Sequence, residues 1–182
     1  MNWANLLTAL RLAAAPVAGW STAGEHWLAA LLLWLVAIVT DVFDGILARR
    51  FGAASSGGGL FDHGTDCAFV TFSLGGLASA GWVPWLLPIL VPLAFLQYVL
   101  DSRALAGRPL RTNRIGKSNG IGYFAVAGVV IVPNALGWGG WLPTVLGEAL
   151  AWLLVATTLL SMGERLLLTL RLKDYRAKQP RD

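Results

Sequence analysis

Charge is what this sequence lacks most. Only 13% of its 182 residues are charged, about half the share of a soluble domain. Meanwhile 56% are hydrophobic and the mean hydropathy is +0.63. One aqueous core of this size cannot bury so much apolar surface. That excludes an ordinary cytosolic enzyme, a secreted scaffold and a disordered tail. Cysteine is nearly absent too: Cys67 stands alone, which excludes an internal disulfide and any cysteine-based metal site. No internal repeat, low-complexity segment or second domain is present. What remains is an integral, multi-pass membrane protein.

Six apolar stretches approach the length a helix needs to cross the hydrocarbon. They run Leu6–Trp20, Trp27–Arg49, Leu60–Ala80, Val83–Asp101, Ile115–Pro133 and Pro143–Arg171. Helix-ending residues separate them, among them Ser55 to Gly59, Gly107-Arg108-Pro109 and Gly137 to Gly140. Pro84, Pro88 and Pro92 recur every four residues and are expected to bend the fourth span from one face. Gly116 to Gly120 offers a small-residue face for close helix packing. The fold class is therefore an all-α bundle of six transmembrane helices. Residues 1–172 form the membrane domain and 173–182 a short charged tail.

The turns between spans one and two, three and four, and five and six contain no Lys or Arg. Every basic residue except Arg11 lies in or beside the other two loops and the tail. Positive charge stays on the cytoplasmic side, so both termini are expected there. Trp20, Trp27, Trp82, Trp85, Trp138 and Trp141 mark the opposite interface. This placement also argues against a nucleic-acid partner despite the net charge of +4, since the bases suit anionic lipid. The first span does not read as a cleavable signal, because it lacks a basic start and Arg11 interrupts its apolar run.

Four carboxylates stand where a bilayer disfavours them. Asp41 and Asp44 are three residues apart, Asp62 and Asp66 four, so each pair occupies one helix face. Fourteen residues separate Trp27 from Asp41 and Asp66 from Ala80. At about 1.5 Å per residue both pairs lie roughly 21 Å from the outer interface, at one level. Such a cluster repels itself unless divalent cations relieve it. Oxygen donors suit magnesium, manganese or calcium, and two such ions are a known arrangement for phosphoryl transfer. Intramembrane acids also mark ion or proton pathways, which is the competing class; those proteins show paired repeats, and none occurs here. His63, beside Asp62, is expected to be an accessory to the carboxylates. His26 reads as a solvated interface residue and Cys67 as a small packing residue.

The segment Asp41-x-x-Asp44-Gly45-x-x-Ala48-Arg49, eight residues, Gly58-x-x-x-Asp62-x-x-x-Asp66 resembles the signature of the CDP-alcohol phosphotransferases at every position. The opening Asn5 to Pro16, with Thr8 and Arg11, is similar to the first helix of bacterial members. The resemblance implies cleavage of a CDP-linked lipid or alcohol, transfer of the phospho-group to an acceptor hydroxyl, and release of CMP. By the same carry-over Asp41, Asp44, Asp62 and Asp66 hold two divalent ions, magnesium or alternatively manganese. Asp66 is also the base. Thr8, Asp41, Gly45, Ala48, Arg49 and Gly58 surround the nucleotide. A homodimer in a bacterial inner membrane, its site facing the cytoplasm, is implied as well.

The acceptor is set elsewhere. Arg103, Arg108, Arg111, Arg114 and Lys117 form a basic run with no acid after Asp101. Guanidinium forks match phosphate, which points to a phosphorylated acceptor. Arg114-Ile-Gly116-Lys117-Ser118 resembles an element of phosphatidylglycerophosphate synthases, favouring CDP-diacylglycerol as donor and glycerol 3-phosphate as acceptor. Those synthases commonly carry Lys after the fourth Asp, where this chain has Cys67. Phe61 to Asp66 is similar instead to the choline/ethanolamine phosphotransferase branch, whose members are usually much longer. Inositol phosphate, serine and phosphatidylglycerol stay open as acceptors.

Overall fold

Apolar runs in which Leu, Val, Ala and Trp dominate can satisfy their backbone without water only by coiling. The chain accordingly forms six α-helices, with no strand among the described residues. The structure, a computed structural model, describes residues 3–51, 56–102 and 114–177, and side chains over 6–43, 59–102 and 114–169. The helices are α1 (Trp3–Ala23), α2 (Trp27–Phe51), α3 (Ser56–Ser79), α4 (Leu86–Ser102), α5 (Arg114–Ala135) and α6 (Trp141–Ala177). Two stretches, Arg114–Ala135 and Trp141–Thr169, are long and apolar enough to cross a bilayer, and Trp27–Phe43 and Leu86–Ser102 are shorter apolar helices.

Side-chain distribution is that of a bundle solvated by lipid. Leu28, Leu32, Leu153, Leu160 and Leu167 face outward, each more than half exposed. Ala15, Ala18, Ser21, Thr22, Ala37, Ser73 and Thr158 are buried between helices. Small residues let membrane helices approach closely, and hydroxyls bond across them. Between the parallel helices α1 and α3, a Cβ on Gly76 would lie 2.0 Å from Thr22 Oγ1 and 2.2 Å from the Gly19 carbonyl. Thr22 Oγ1 in turn donates to the Ser73 carbonyl at 3.0 Å. α1 is thereby set against α3 at fixed register.

Two local expectations are corrected. α4 begins at Leu86, so Pro84 precedes it and Pro88 sits in its first turn, where a missing N–H costs nothing. Only Pro92 interrupts the helix interior. Gly116 and Gly120 line a cavity, and a Cβ on Gly120 would meet nothing within 4 Å. Close packing on α5 falls instead on Gly122, against Leu154, and on Gly128, against the Trp34 ring. The two glycines serve different neighbours, Gly122 facing α6 and Gly128 facing α2. Helix α6 continues to Ala177, past the expected span end at Arg171; residues 178–182 lie outside the described residues.

Candidate active site

Three helices bring their ionic residues to one point. α2 supplies Asp41, α3 supplies Asp62 and Asp66, and one oxygen from each lies within 4.8 Å of the others. The fourth member is Arg11 of α1, the basic residue that interrupts the first apolar run. Its side chain is 1% exposed. Nη1 lies 3.6 Å from Asp41 Oδ1 and donates to Asp62 Oδ1 at 3.3 Å. It also contacts Asp66 Oδ1 closely. Nε donates to Thr40 Oγ1 at 3.3 Å, and Thr40 donates onward to the Val36 carbonyl at 2.8 Å. A buried guanidinium is tolerable only when paired. Its α1 register, fixed by Gly19, Gly76 and Thr22, is what aims it at the acids.

One positive charge against three carboxylates leaves the cluster net negative. Its donors are all oxygens, converge within a few ångströms and are only partly exposed, from 26% at Asp66 to 49% at Asp41. That donor set fits a hard divalent cation. His63 is half-exposed, with Nδ1 3.9 Å from Asp62 Oδ2.

The cluster forms one wall of a cavity of about 440 Å³ bordered by α2, α3, α4, α5 and α6. Asp41, Asp62, His63, Asp66 and Cys67 line the acidic side, and Lys117 and Arg165 the side built by α5 and α6. Arg165 stacks over the Tyr98 ring, 4.9 Å from its centroid. Beneath these cations a polar network ties α5 to α6. Asn119 Nδ2 donates to Thr158 Oγ1 at 3.2 Å, Tyr123 and Thr158 share a 2.6 Å hydroxyl bond, and Thr157 donates to Asn119 Oδ1 at 2.9 Å. Cys67 packs against the main apolar cluster while its residue borders the cavity.

Of the residues singled out from sequence, Asp41, Asp62, Asp66 and Lys117 meet around this cavity. Thr8 is buried one turn before Arg11. Arg114 is exposed at the first position of α5. The side chains of Asp44, Ala48 and Arg49, the surroundings of Gly45 and Gly58, and Arg103, Arg108 and Arg111 lie outside the described residues. Sequence reasoning missed Arg11, Thr40, Tyr98 and Arg165. A lone Arg amid apolar residues was the signal for the first. Nothing local marks the partnership of Tyr98 with Arg165.

A family model described as CDP-alcohol phosphatidyltransferase matches residues 1–160. A protein of Mycobacterium tuberculosis named "Probable phosphatidylglycerophosphate synthase" is 38% identical over 96 residues, 50% of this chain and 46% of that protein. A "CDP-diacylglycerol--glycerol-3-phosphate 3-phosphatidyltransferase" of Cereibacter sphaeroides is 38% identical over 116 residues, 59% and 52% of the two chains. A "Cardiolipin synthase (CMP-forming)" of Streptomyces coelicolor is 28% identical over 158 residues, 81% and 73%. The match spans about half the length of the first two relatives. No solved structure matches the chain.

Proposed function

The chain belongs to the CDP-alcohol phosphatidyltransferase family, and from that premise we propose that it transfers a phosphatidyl group from CDP-diacylglycerol to the hydroxyl of glycerol 3-phosphate, releasing CMP. The family is membrane-embedded and uses a divalent metal, a CDP-linked lipid and an alcohol acceptor. The observation that carries the reading is the convergence of Asp41, Asp62 and Asp66 on a cavity whose other wall holds Lys117 and Arg165.

In this reading Asp41, Asp62 and Asp66, completed by Asp44, hold two magnesium ions. Those ions, when bound, neutralise the pyrophosphate and stabilise departing CMP. Thr8, Gly45, Ala48, Gly58 and Arg49 take the nucleotide. Arg103, Arg108, Arg111, Arg114 and Lys117, joined by Arg165, draw the acceptor's phosphate into the cavity. Asp66 takes the proton of the attacking hydroxyl. The acceptor oxygen bonds to the lipid-side phosphorus, the anhydride bond to the cytidine-side phosphate breaks, and that electron pair leaves on CMP. Residues 1–172 are the catalytic unit, acting as a homodimer in a bacterial inner membrane with the cavity open to the cytoplasm.

A second reading has one specific support. The cardiolipin synthase matches a larger share of both chains than the other two relatives, which favours phosphatidylglycerol as acceptor. One assay separates the two. Purified protein in mixed micelles with CDP-diacylglycerol and magnesium is offered each acceptor in turn, and CMP is measured. Release that needs glycerol 3-phosphate and stops with chelator supports the first reading. Release only with phosphatidylglycerol replaces it. No CMP with any acceptor, inositol phosphate and serine included, refutes both.

A further inference from the structure

The cavity has an uncharged polar wall besides its carboxylates and cations. Asn119 and Tyr123 of α5 and Thr158 of α6 all border it, yet they are only 5%, 8% and 1% exposed. The Asn119 amide donates to Thr158, and the Tyr123 and Thr158 hydroxyls share the 2.6 Å bond, in which either oxygen can be the donor. A phenol oxygen donates once and accepts twice. Its bonds to Thr158 and to the Asn119 amide use two of those three positions, so Tyr123 can meet a third partner. Because the shared bond can reverse, that partner can be a donor or an acceptor. An alcohol is both.

Position selects which alcohol. Tyr123 belongs to the apolar cluster against which Cys67 packs, and Cys67 directly follows Asp66. The phenol therefore stands across the cavity at the depth of the carboxylates. On α5, Lys117 lies six residues before Tyr123, about 9 Å nearer the start of the helix. On α6, Arg165 lies seven residues after Thr158, about 10 Å toward the same end of the bundle. An acceptor held by its phosphate at those cations directs its hydroxyl end between Asp66 and Tyr123. Val70 and Val91 make the neighbouring wall apolar, and a hydroxyl buried there unpaired is costly.

We propose that Tyr123, held by Thr158 and Asn119, determines acceptor specificity by hydrogen-bonding the acceptor hydroxyl that does not react. Its ligand is a glycerol unit with a phosphate at one end and two neighbouring hydroxyls at the other. One hydroxyl pairs with Tyr123, which leaves the other facing Asp66. This rests on the phosphatidyl-transfer reading above. Glycerol 3-phosphate and the headgroup of phosphatidylglycerol share this chemistry, whereas serine has no second hydroxyl.

The test pairs each acceptor with an analogue lacking the second hydroxyl: glycerol 3-phosphate with 3-hydroxypropyl phosphate, and phosphatidylglycerol with phosphatidylpropanediol. kcat/KM for CMP release is measured in mixed micelles with CDP-diacylglycerol and magnesium. The pair that the unmutated protein uses identifies the source of the glycerol unit. Unmutated protein is expected to favour the diol about tenfold to a hundredfold. Tyr123→Phe, which keeps the ring, is expected to lose about tenfold or more on the diol and to stay within about twofold on the analogue, so that the preference collapses. Thr158→Val should weaken the preference in the same sense, and Thr158→Ser, which retains the hydroxyl, should keep it. A network that only ties α5 to α6 would lower both members of a pair in parallel. That result overturns the proposal, as does an unmutated protein indifferent to the second hydroxyl. Should Tyr123→Phe fail to fold, Thr158→Val decides by the same ratio. No CMP with any acceptor defeats the phosphatidyl-transfer reading itself, a different result from turnover that ignores Tyr123.

Discussion

Asp66 is reached by the Arg11 guanidinium on one side and by the cavity on the other, so one substitution tests both relations. Asp66→Asn keeps the volume and one oxygen but removes a base, and CMP release is expected to fall by about 10²–10⁴-fold. The variant should still elute as a folded protein, since Arg11 retains Asp41 and Asp62. A residual activity above a tenth of the unmutated rate would remove Asp66 from the chemistry. Arg165 makes a different demand. Its stacking on Tyr98 fixes a cation over the cavity, and such contacts are worth about 0.5–2 kcal/mol. Arg165→Gln is therefore expected to raise KM for glycerol 3-phosphate about tenfold with a smaller change in kcat, while Tyr98→Phe, which keeps the aromatic face, stays close to unmutated. Equal losses in kcat and KM behaviour for both variants would place Arg165 outside acceptor binding. These residues were not equally legible. Intramembrane carboxylates announce themselves because the bilayer penalises them. Arg11 carried the same signal, yet its partners lie 29 to 55 positions away, on α2 and α3, and only helix packing joins them. Arg165 looks like one more interfacial base until α4 and α6 are packed together.

Among elements, the pairing of α1 with α3 matters most, because it holds Arg11 against Asp62 and Asp66. Gly76 permits it. A methyl group there meets the Thr22 hydroxyl and the Gly19 backbone at 2.0 and 2.2 Å, neither of which can swing aside. Gly76→Ala is expected to cost about 1–3 kcal/mol and to lower Tm in detergent, with activity lost as α1 moves off. Gly122→Ala is the control: its methyl meets Leu154 Cδ2 at 2.6 Å, the far end of a flexible side chain that can rotate. Its Tm should drop clearly less. Equal drops would mean that the α1–α3 contact is not the tighter of the two. The existence and order of all six helices could be read from apolar run length and the turn residues between them. Helix contacts could not. A small residue signals only that close approach is allowed, so Gly116 and Gly120 looked as suitable as Gly122 and Gly128. Which pair meets a neighbour depends on the rotation of α5, and the buried Asn119–Thr158–Tyr123 bonds help to fix that rotation. Likewise three prolines at one spacing suggested one bent helix, but the start at Leu86 leaves only Pro92 in the interior.

For the molecule as a whole, orientation decides whether the cavity can meet a nucleotide-bearing donor. The turns 24–26, 80–85 and 136–140 lie at one end of the bundle, hold no Lys or Arg, and are flanked by Trp20, Trp85, Trp138 and Trp141, each more than half exposed. Asp41, Asp62, Asp66, Lys117 and Arg165 lie toward the other end, where α4 ends, α5 begins and the charged end of α6 extends. Positive charge is retained on the cytoplasmic side and aromatic rings collect at interfaces, so the acidic cavity should open inward, where cytidine nucleotides are made. Single cysteines placed in a Cys67→Ser background report this directly. In intact bacterial cells a membrane-impermeant maleimide is expected to label Leu136→Cys and to leave Lys173→Cys untouched; after permeabilisation both should react. The reverse pattern would turn the cavity away from the cytoplasm. A CDP-lipid could then reach the carboxylates only after crossing the bilayer with its nucleotide, and the proposed donor would be untenable even if the carboxylate cluster bound metal.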